Sequence, residues 1–212
     1  MQHILITGAA GNLGKAVVKT VLEKSYHVIA CVSKNDTTTE QHEHVELYSL
    51  DLIDAVACTI LCEDLFLKHG SIDGAILTVG GFMPGNIDVV TKADFDKMIL
   101  LNFTTAFNLV QPLLKQMKKQ EKGGSIILIG SEPGLEGAKA SGSVAYGFSK
   151  SLIFRLAELI NAEGRGKNIS AHVVVPTTMD TPQNRAAMPN ADFSKWATTE
   201  SIAQEIAGVL VH

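Results

Sequence analysis

Short runs of apolar residues alternate along the chain with longer stretches whose apolar residues recur at helical spacing. The short runs predict six strands, at residues 3–6, 27–32, 45–50, 72–79, 125–129 and 169–175. The longer stretches predict helices at residues 13–24, 53–69, 94–120, 144–162 and 199–211. Alternation of this kind predicts an α/β fold, with a parallel sheet in the order 3-2-1-4-5-6 and helices on both faces.

Glycine and proline residues interrupt the pattern at a few positions. Pro112 predicts a bend in the helix at 94–120, and polar residues 35–44 predict a surface loop. Segments 80–91 and 176–198 follow strand ends and are long for connections within a domain, which is typical of functional loops. The sequence therefore predicts one doubly wound Rossmann-type domain over residues 1–212, with these two segments as substrate loops.

Composition narrows the class of protein. Hydrophobic residues make up 46% of the 212 residues, which excludes a disordered chain, and the net charge of −4 offers no basic excess for nucleic acid. No apolar run is long enough for a membrane span, and no secretory signal peptide is recognisable. Cys31, Cys58 and Cys62 form an odd, sparse set without a zinc-type spacing. We therefore expect a cytoplasmic protein with no metal site.

A glycine-rich turn joins the first predicted strand to the first predicted helix, in the sequence Thr7-Gly8-Ala9-Ala10-Gly11-Asn12-Leu13-Gly14. Strand, glycine motif and helix in this order are typical of dinucleotide binding. Gly8 allows a tight turn, Gly11 lets the backbone approach a pyrophosphate, and Gly14 lets the helix pack on the strand. The free N–H groups of the helix N-terminus would bind the phosphates.

The end of the second predicted strand bears on the choice of nucleotide. A carboxylate there would bind the ribose 2′-hydroxyl of NAD. The sequence has Val32-Ser33-Lys34 instead, and Ser33 and Lys34 can donate to a 2′-phosphate. NADP is therefore predicted over NAD, although Asp36 keeps NAD open as an alternative.

A tyrosine and a lysine lie one helical turn apart in Tyr146-Gly147-Phe148-Ser149-Lys150. Residues at this spacing share a helix face. A lysine cation favours the phenolate, so we expect Lys150 to lower the pKa of Tyr146 and make it a general acid near neutral pH. The pair follows the fifth predicted strand, where a doubly wound sheet presents its ligand crevice.

With these motifs the chain resembles the short-chain dehydrogenase/reductases over nearly its whole length. The glycine turn, Asp51-Leu52, Asn102, Ser131, Tyr146-x3-Lys150 and Pro176…Thr181 occur in the family's order. Within the family it is most similar to the dihydropteridine reductases. The similarity lies in residues 73–82, in the long step from Ser131 to Tyr146, and in the run from Pro176 through Met188 to Trp196.

The resemblance implies roles for individual residues. Tyr146 would donate a proton, Lys150 would hold the nicotinamide ribose, Asn102 would support a proton-relaying water, and Ser131 would bind a substrate carbonyl. The nucleotide-binding residues expected from the motifs and the resemblance are Gly8, Ala10, Gly11, Asn12, Leu13, Gly14, Ser33, Lys34, Asp51, Leu52, Val79, Gly80, Gly81, Tyr146, Lys150, Pro176, Thr178 and Thr181. Apolar residues on the loops past the strand ends predict a substrate pocket formed by Phe82, Met83, Met179, Met188 and Trp196.

Some positions depart from the family's pattern. Asn12 stands where a glycine is most common, and Val32 where the pterin enzymes prefer an acidic residue. Those enzymes often lack the serine that is present here as Ser131. The family's seventh strand has no counterpart in these 212 residues, so we expect either a naturally short protein or a missing tail.

The predicted function is hydride transfer from NAD(P)H to a small cyclic substrate such as a quinonoid dihydropteridine, with Tyr146 as proton donor. A carbonyl or 3-oxoacyl-type reductase is the alternative, because Ser131 and Asn102 also suit it. A non-catalytic nucleotide-sensing protein is a third hypothesis, which the presence of both Tyr146 and Lys150 disfavours. The resemblance also implies a homodimer built from the helices at 94–120 and 144–162.

Overall fold

The six predicted strands form one parallel sheet in the part of the chain that the structure describes. The structure is a computed structural model, and it describes residues 1–34, 36 and 42–210, so that most of the predicted loop at 35–44 lies outside it. The strands are His3–Thr7 (β1), His27–Val32 (β2), Val45–Ser49 (β3), Gly74–Leu77 (β4), Gly124–Ile129 (β5) and Ile169–Val174 (β6). Their order is β3-β2-β1-β4-β5-β6, which confirms the prediction.

Helices cover both faces of the sheet. They are Asn12–Glu23 (α1), Ala55–His69 (α2), Lys92–Ile99 (α3), Thr105–Met117 (α4), Glu132–Leu135 (α5), Val144–Gly164 (α6), Pro182–Ala187 (α7) and Thr199–Val209 (α8). Side chains alternate along β1, so that Leu5 faces the core beneath α2, α4 and α6, whereas Ile4 and Ile6 face the core beneath α1 and α8. Two buried apolar layers therefore hold the sheet between the helices.

The stretch predicted as one helix at 94–120 is helical from Lys92 to Met117, but it is not α-helical throughout. A π-helical turn at Leu100–Thr104 separates α3 from α4, and the Thr105 N–H donates to the Leu100 carbonyl. Pro112, where the bend was expected, lies inside α4. The π turn holds Asn102, which is 1% exposed and hydrogen-bonded to other elements. Apolar periodicity carries no signal of such contacts, whereas π turns are frequent at functional sites.

The segment at 176–198, predicted as a loop, contains α7 and a short 3₁₀ turn at Phe193–Lys195. Its two ends are joined because the Asp180 N–H donates to the Ala197 carbonyl at 2.8 Å. Arg185 makes two hydrogen bonds to the Asp180 carboxylate, and its guanidinium lies 4.7 Å from the centre of the Phe193 ring. We call residues 176–198 the lid segment; its own contacts give it a defined shape.

The described helices include none with the length and apolar character that crossing a lipid bilayer requires.

The connection from β1 to α1 brings two stretches of backbone into contact. Gly8 has φ +63°, a conformation that favours glycine. A Cβ atom at Gly14 would lie 2.0 Å from the Gly8 carbonyl oxygen. The helix can therefore approach the end of the strand this closely only with glycine at position 14.

We predict that Gly14→Ala lowers the free energy of unfolding by about 1–3 kcal/mol, because backbone must move to admit the methyl group. The matched control is Gly208→Ala in α8, where a Cβ atom would meet no atom of residues 1–34, 36 or 42–210 within 4 Å. That change is expected to raise stability by up to about 1 kcal/mol, since alanine is the better helix former. Urea unfolding of both variants measures the difference, and equal effects would contradict the packing argument.

Candidate active site

The glycine turn lies at the carboxyl edge of the sheet, with the start of α1 above it. Gly11 caps α1 without a side-chain hydrogen bond, and the first turn of α1 contains no acidic residue. Such an N-terminus can bind phosphate oxygens through its N–H groups and its dipole. The bare helix start therefore fits the diphosphate of a dinucleotide.

The lid segment reaches the glycine turn. The Asn12 amide donates to the Gln183 side-chain oxygen at 2.7 Å, from the first residue of α1 to the second of α7. Thr181 caps α7, accepts a hydrogen bond from the Asn184 N–H and is buried. Thr178 is exposed, and Pro176 is half-buried after β6.

Asn102 joins the π turn to the exit of β4. Its Oδ1 accepts from the Gly81 N–H at 2.8 Å, and its Nδ2 donates to the Gly81 carbonyl at 3.0 Å. A Cβ atom at Gly80 would lie 2.7 Å from Asn102 Oδ1 and 3.3 Å from Lys150 Nζ. The two glycines after β4 thus let an amide, a lysine and the strand exit meet at one point.

Lys150 is buried on α6, and its Nζ donates to the Ile129 carbonyl at 2.8 Å. Removal of the ammonium from water disfavours its charged form and lowers the pKa of Lys150 to about 8. The side chain therefore titrates close to the physiological range.

Tyr146 lies on the same face of α6, and its ring makes an edge contact with Phe82 at 5.1 Å between centroids. Burial raises the pKa of the phenol, and the nearby Ser131 hydroxyl opposes this with a smaller effect. The predicted lowering of the Tyr146 pKa by Lys150 is therefore wrong for this structure. Desolvation outweighs the stabilising contact, while the Lys150 ammonium is hydrogen-bonded to Ile129.

Ser131 follows β5 and lies next to Tyr146. Its hydroxyl is buried and has no hydrogen-bond partner of good geometry among the described residues. A buried hydroxyl of this kind has lost its hydrogen bonds to water. A bound molecule that makes a hydrogen bond to it replaces one of them. Ser131 and Tyr146 together present two hydroxyl groups at one position.

The residues expected around the adenosine lie at the other end of the edge, beyond β1. Ser33 and Lys34 are exposed after β2. Asp51 follows β3 and accepts from the Ile53 N–H at 3.0 Å, while Leu52 is buried and its carbonyl accepts from the Asn108 amide. The structure thus separates the predicted residues into an adenosine group and a group around Tyr146, with the glycine turn between them.

The residues of the predicted pocket differ in their exposure and in what they pack against. Phe82 is 65% exposed beside Tyr146, Met188 is 41% exposed, and Met83 is half-buried. Met179 packs on the core beneath α8, and the Trp196 ring lies 4.7 Å from that of Phe193. Met179 and Trp196 therefore support the lid segment itself, and their contact with a substrate stays a prediction.

Sequence reasoning missed two side chains that join parts of the site, Ser149 and Gln183. Ser149 accepts from Asn102 Nδ2 at 3.0 Å and is fully buried. It is a polar residue on the apolar face of a helix, and such a residue normally has a hydrogen-bond partner, so the signal was present. For Gln183 the sequence carries no such signal, because its hydrogen-bond partner Asn12 is 171 residues away.

No group of three or more His, Cys, Asp or Glu side chains within the described ranges is arranged to hold a metal ion.

Known proteins share both the sequence pattern and the fold. The family model for short chain dehydrogenases matches residues 2–192. The dihydropteridine reductase of Dictyostelium discoideum is 26% identical over 211 residues, covering 97% of this chain and 86% of that protein. The 3-oxoacyl-[acyl-carrier-protein] reductase FabG of Buchnera aphidicola is 29% identical over 220 residues, covering 97% and 88%.

The fold is likewise similar to solved structures. ElxO with NADP bound has a TM-score of 0.89 and 24% sequence identity, and the match covers 99% of this chain and 91% of that one. At this identity the likeness concerns the fold alone. The family match over most of the chain establishes membership: the chain belongs to the short-chain dehydrogenase family, a family of NAD(P)-dependent oxidoreductases.

Proposed function

We propose that the protein is a reductase that transfers hydride from NADPH to a small cyclic acceptor, with a quinonoid dihydropteridine as the first candidate. The observation that carries the reductase part of the proposal is the buried Ser131 hydroxyl beside the Tyr146 phenol. It has no hydrogen-bond partner of good geometry among the described residues, and two hydroxyls there can engage one acceptor atom. The pterin is named first because the run from Pro176 to Trp196 resembles the dihydropteridine reductases, one of which is 26% identical over 97% of the chain.

The side chains suit the reductive direction. When bound, the nucleotide supplies the hydride. The ordinary pKa of a tyrosine already lies well above neutral pH and burial raises that of Tyr146 further, so the phenol keeps a proton that it can donate to the acceptor. Lys150 is still mostly protonated at pH 7, and its ammonium would hold the nicotinamide ribose. Through its hydrogen bond to Gly81, Asn102 would keep the exit of β4 next to Tyr146 and Lys150. The Ser131 hydroxyl would donate a hydrogen bond to the acceptor.

The nucleotide would bind along the carboxyl edge of the sheet. The diphosphate would lie on the start of α1, which has no side-chain cap, and the adenosine beside Asp51 and Leu52. Lys34 and Ser33 are exposed after β2, where a cation and a hydroxyl favour the 2′-phosphate of NADPH. Segment 80–91 and the lid segment would enclose the acceptor within a single domain. All three cysteines are free and buried, which suits the reducing cytoplasm.

A carbonyl or 3-oxoacyl-type reductase is the second candidate. Ser131 favours it, because an unpartnered serine hydroxyl can donate to a carbonyl oxygen, and a FabG reductase is among the similar proteins. A nucleotide-binding protein without catalysis is the third, and the presence of both Tyr146 and Lys150 weighs against it.

The first test follows the loss of NADPH, and separately of NADH, with quinonoid dihydropteridine. We predict turnover that is faster with NADPH and that falls by about 10²–10⁴-fold in Tyr146→Phe, because the general acid is lost. Tyr26→Phe is the matched control, since it removes the same hydroxyl at the amino end of β2.

Equal rates for the unaltered protein and Tyr146→Phe would contradict the proposal. If neither nucleotide turns over with the pterin, a panel of carbonyl substrates follows, with Ser131→Ala as the diagnostic variant. Loss of carbonyl reduction in that variant with intact nucleotide binding would support the second candidate.

The rate of reduction should depend on pH through Lys150. We predict that kcat/KM for the nucleotide, which reports the free enzyme, falls above about pH 8, because Lys150 loses its charge there. In Lys150→Arg the cation persists at higher pH, so the fall near pH 8 should disappear. An unchanged profile in Lys150→Arg would assign the titration to another group.

We also propose a homodimer through α4 and α6. Phe107, Phe148 and Leu159 on these helices are 41%, 51% and 54% exposed, and burial of such side chains stabilises association. Sedimentation at micromolar concentration is predicted to give a dimer, and Leu159→Glu to shift it toward monomer. Leu67→Glu on α2, at a residue that is 86% exposed, is the control that should leave the dimer intact.

A further inference from the structure

Ser149 is a buried polar residue that the proposed chemistry does not use. It lies between Tyr146 and Lys150 on α6 and is 0% exposed. Serine hydroxyls in helices commonly donate to a carbonyl one turn back, and Ser149 donates to the Tyr146 carbonyl at 2.7 Å. Its hydroxyl proton is therefore committed to the backbone of Tyr146.

The same hydroxyl oxygen accepts a second hydrogen bond from a different element. Asn102 Nδ2 donates to Ser149 Oγ at 3.0 Å, across 47 residues of sequence. The other hydrogen of that amide serves the Gly81 carbonyl, and Asn102 Oδ1 accepts from the Gly81 N–H. The bonds form one chain that runs from the exit of β4 through the π turn to the backbone of Tyr146.

The donor and acceptor roles in this series of hydrogen bonds determine which way the Asn102 amide faces. Because the Ser149 proton points to the Tyr146 carbonyl, only a lone pair of Ser149 Oγ faces Asn102, and a lone pair selects an N–H donor. Rotation of the amide by half a turn would set Asn102 Oδ1 against that lone pair. It would also leave the Gly81 N–H without its acceptor.

We infer that Ser149 is a positioning residue, which holds Asn102 and the Tyr146–Lys150 turn of α6 in one arrangement at the exit of β4. The inference rests on the proposed function, because it assigns Ser149 a part in the reaction of Tyr146. Ser149 itself touches no reacting atom; it acts through Asn102 and through the backbone of Tyr146.

Ser151 supplies a matched control two residues away. Its hydroxyl donates to the Phe148 carbonyl at 2.7 Å, the same local bond that Ser149 makes, and it lies toward the surface. Ser151→Ala therefore removes an equivalent helix bond, while the Asn102 contact with Ser149 remains.

The experiment measures kcat with quinonoid dihydropteridine and KM for NADPH. The variants are Ser149→Ala, Ser151→Ala, Asn102→Ala and the double variant Ser149→Ala/Asn102→Ala. We expect Ser149→Ala to lower kcat about tenfold, with KM for NADPH within about twofold, because a buried N–H of Asn102 loses its acceptor. Ser151→Ala should keep the full rate. In the Asn102→Ala background, removal of the Ser149 hydroxyl should have little further effect.

A measurement on the free protein does not depend on turnover. In ¹⁵N-labelled protein, the side-chain amide resonances of Asn102 should shift in Ser149→Ala and stay in place in Ser151→Ala. Ser149→Cys, which keeps the size of the side chain and a weak acceptor, should give a kcat between those of Ser149→Ala and the unaltered protein.

Each result distinguishes the inference from the function on which it rests. If Tyr146→Phe loses turnover while Ser149→Ala keeps it, or if the effects of Ser149→Ala and Asn102→Ala multiply, the role of Ser149 is overturned and the proposed function stands. If Tyr146→Phe turns over normally, the proposed function fails and the inference fails with it.

Discussion

The parallel pairing of all the strands in the sheet is the constraint on which the site depends. It brings the carboxyl ends of β1, β4, β5 and β6 to one edge, and the order β3-β2-β1-β4-β5-β6 reverses the direction of winding between β1 and β4. Connections that leave these two strands pass to opposite faces, so a crevice opens between them. The glycine turn, the Gly80-Gly81 exit, Ser131 and the lid segment each follow a strand end, and they meet there because the strands are parallel.

Burial governs the chemistry of this crevice. The same loss of water raises the pKa of Tyr146 and lowers that of Lys150, since in both groups the charged form is penalised. A phenol that keeps its proton at neutral pH can donate that proton. An amine that titrates near neutrality can supply the proton that replaces it. Buried polar groups of this kind persist where hydrogen bonds compensate the lost hydration, as the bonds of Asn102 and Lys150 do.

The lid segment carries its own structure. Three contacts give it a defined shape without a ligand: Arg185 pairs with Asp180, Arg185 lies over the Phe193 ring, and the Asp180 N–H donates to the Ala197 carbonyl. A segment that is already ordered loses less conformational entropy when it closes over a ligand. Its contact with the glycine turn through Asn12 and Gln183 joins the lid segment to the start of α1.

The sequence by itself determined the strands, their order, the glycine turn and the spacing of Tyr146 and Lys150 one turn apart on α6, because these depend on local periodicity and on motifs of fixed spacing. It placed Asn102 and Ser131 in the site through family resemblance. Tertiary structure decided the π turn around Asn102, the raised pKa of Tyr146, the ordered lid segment and the contact of Ser149 with Asn102. Each of these depends on atoms far apart in the chain or on the amount of water excluded, and neither quantity is encoded in the periodicity of a single segment.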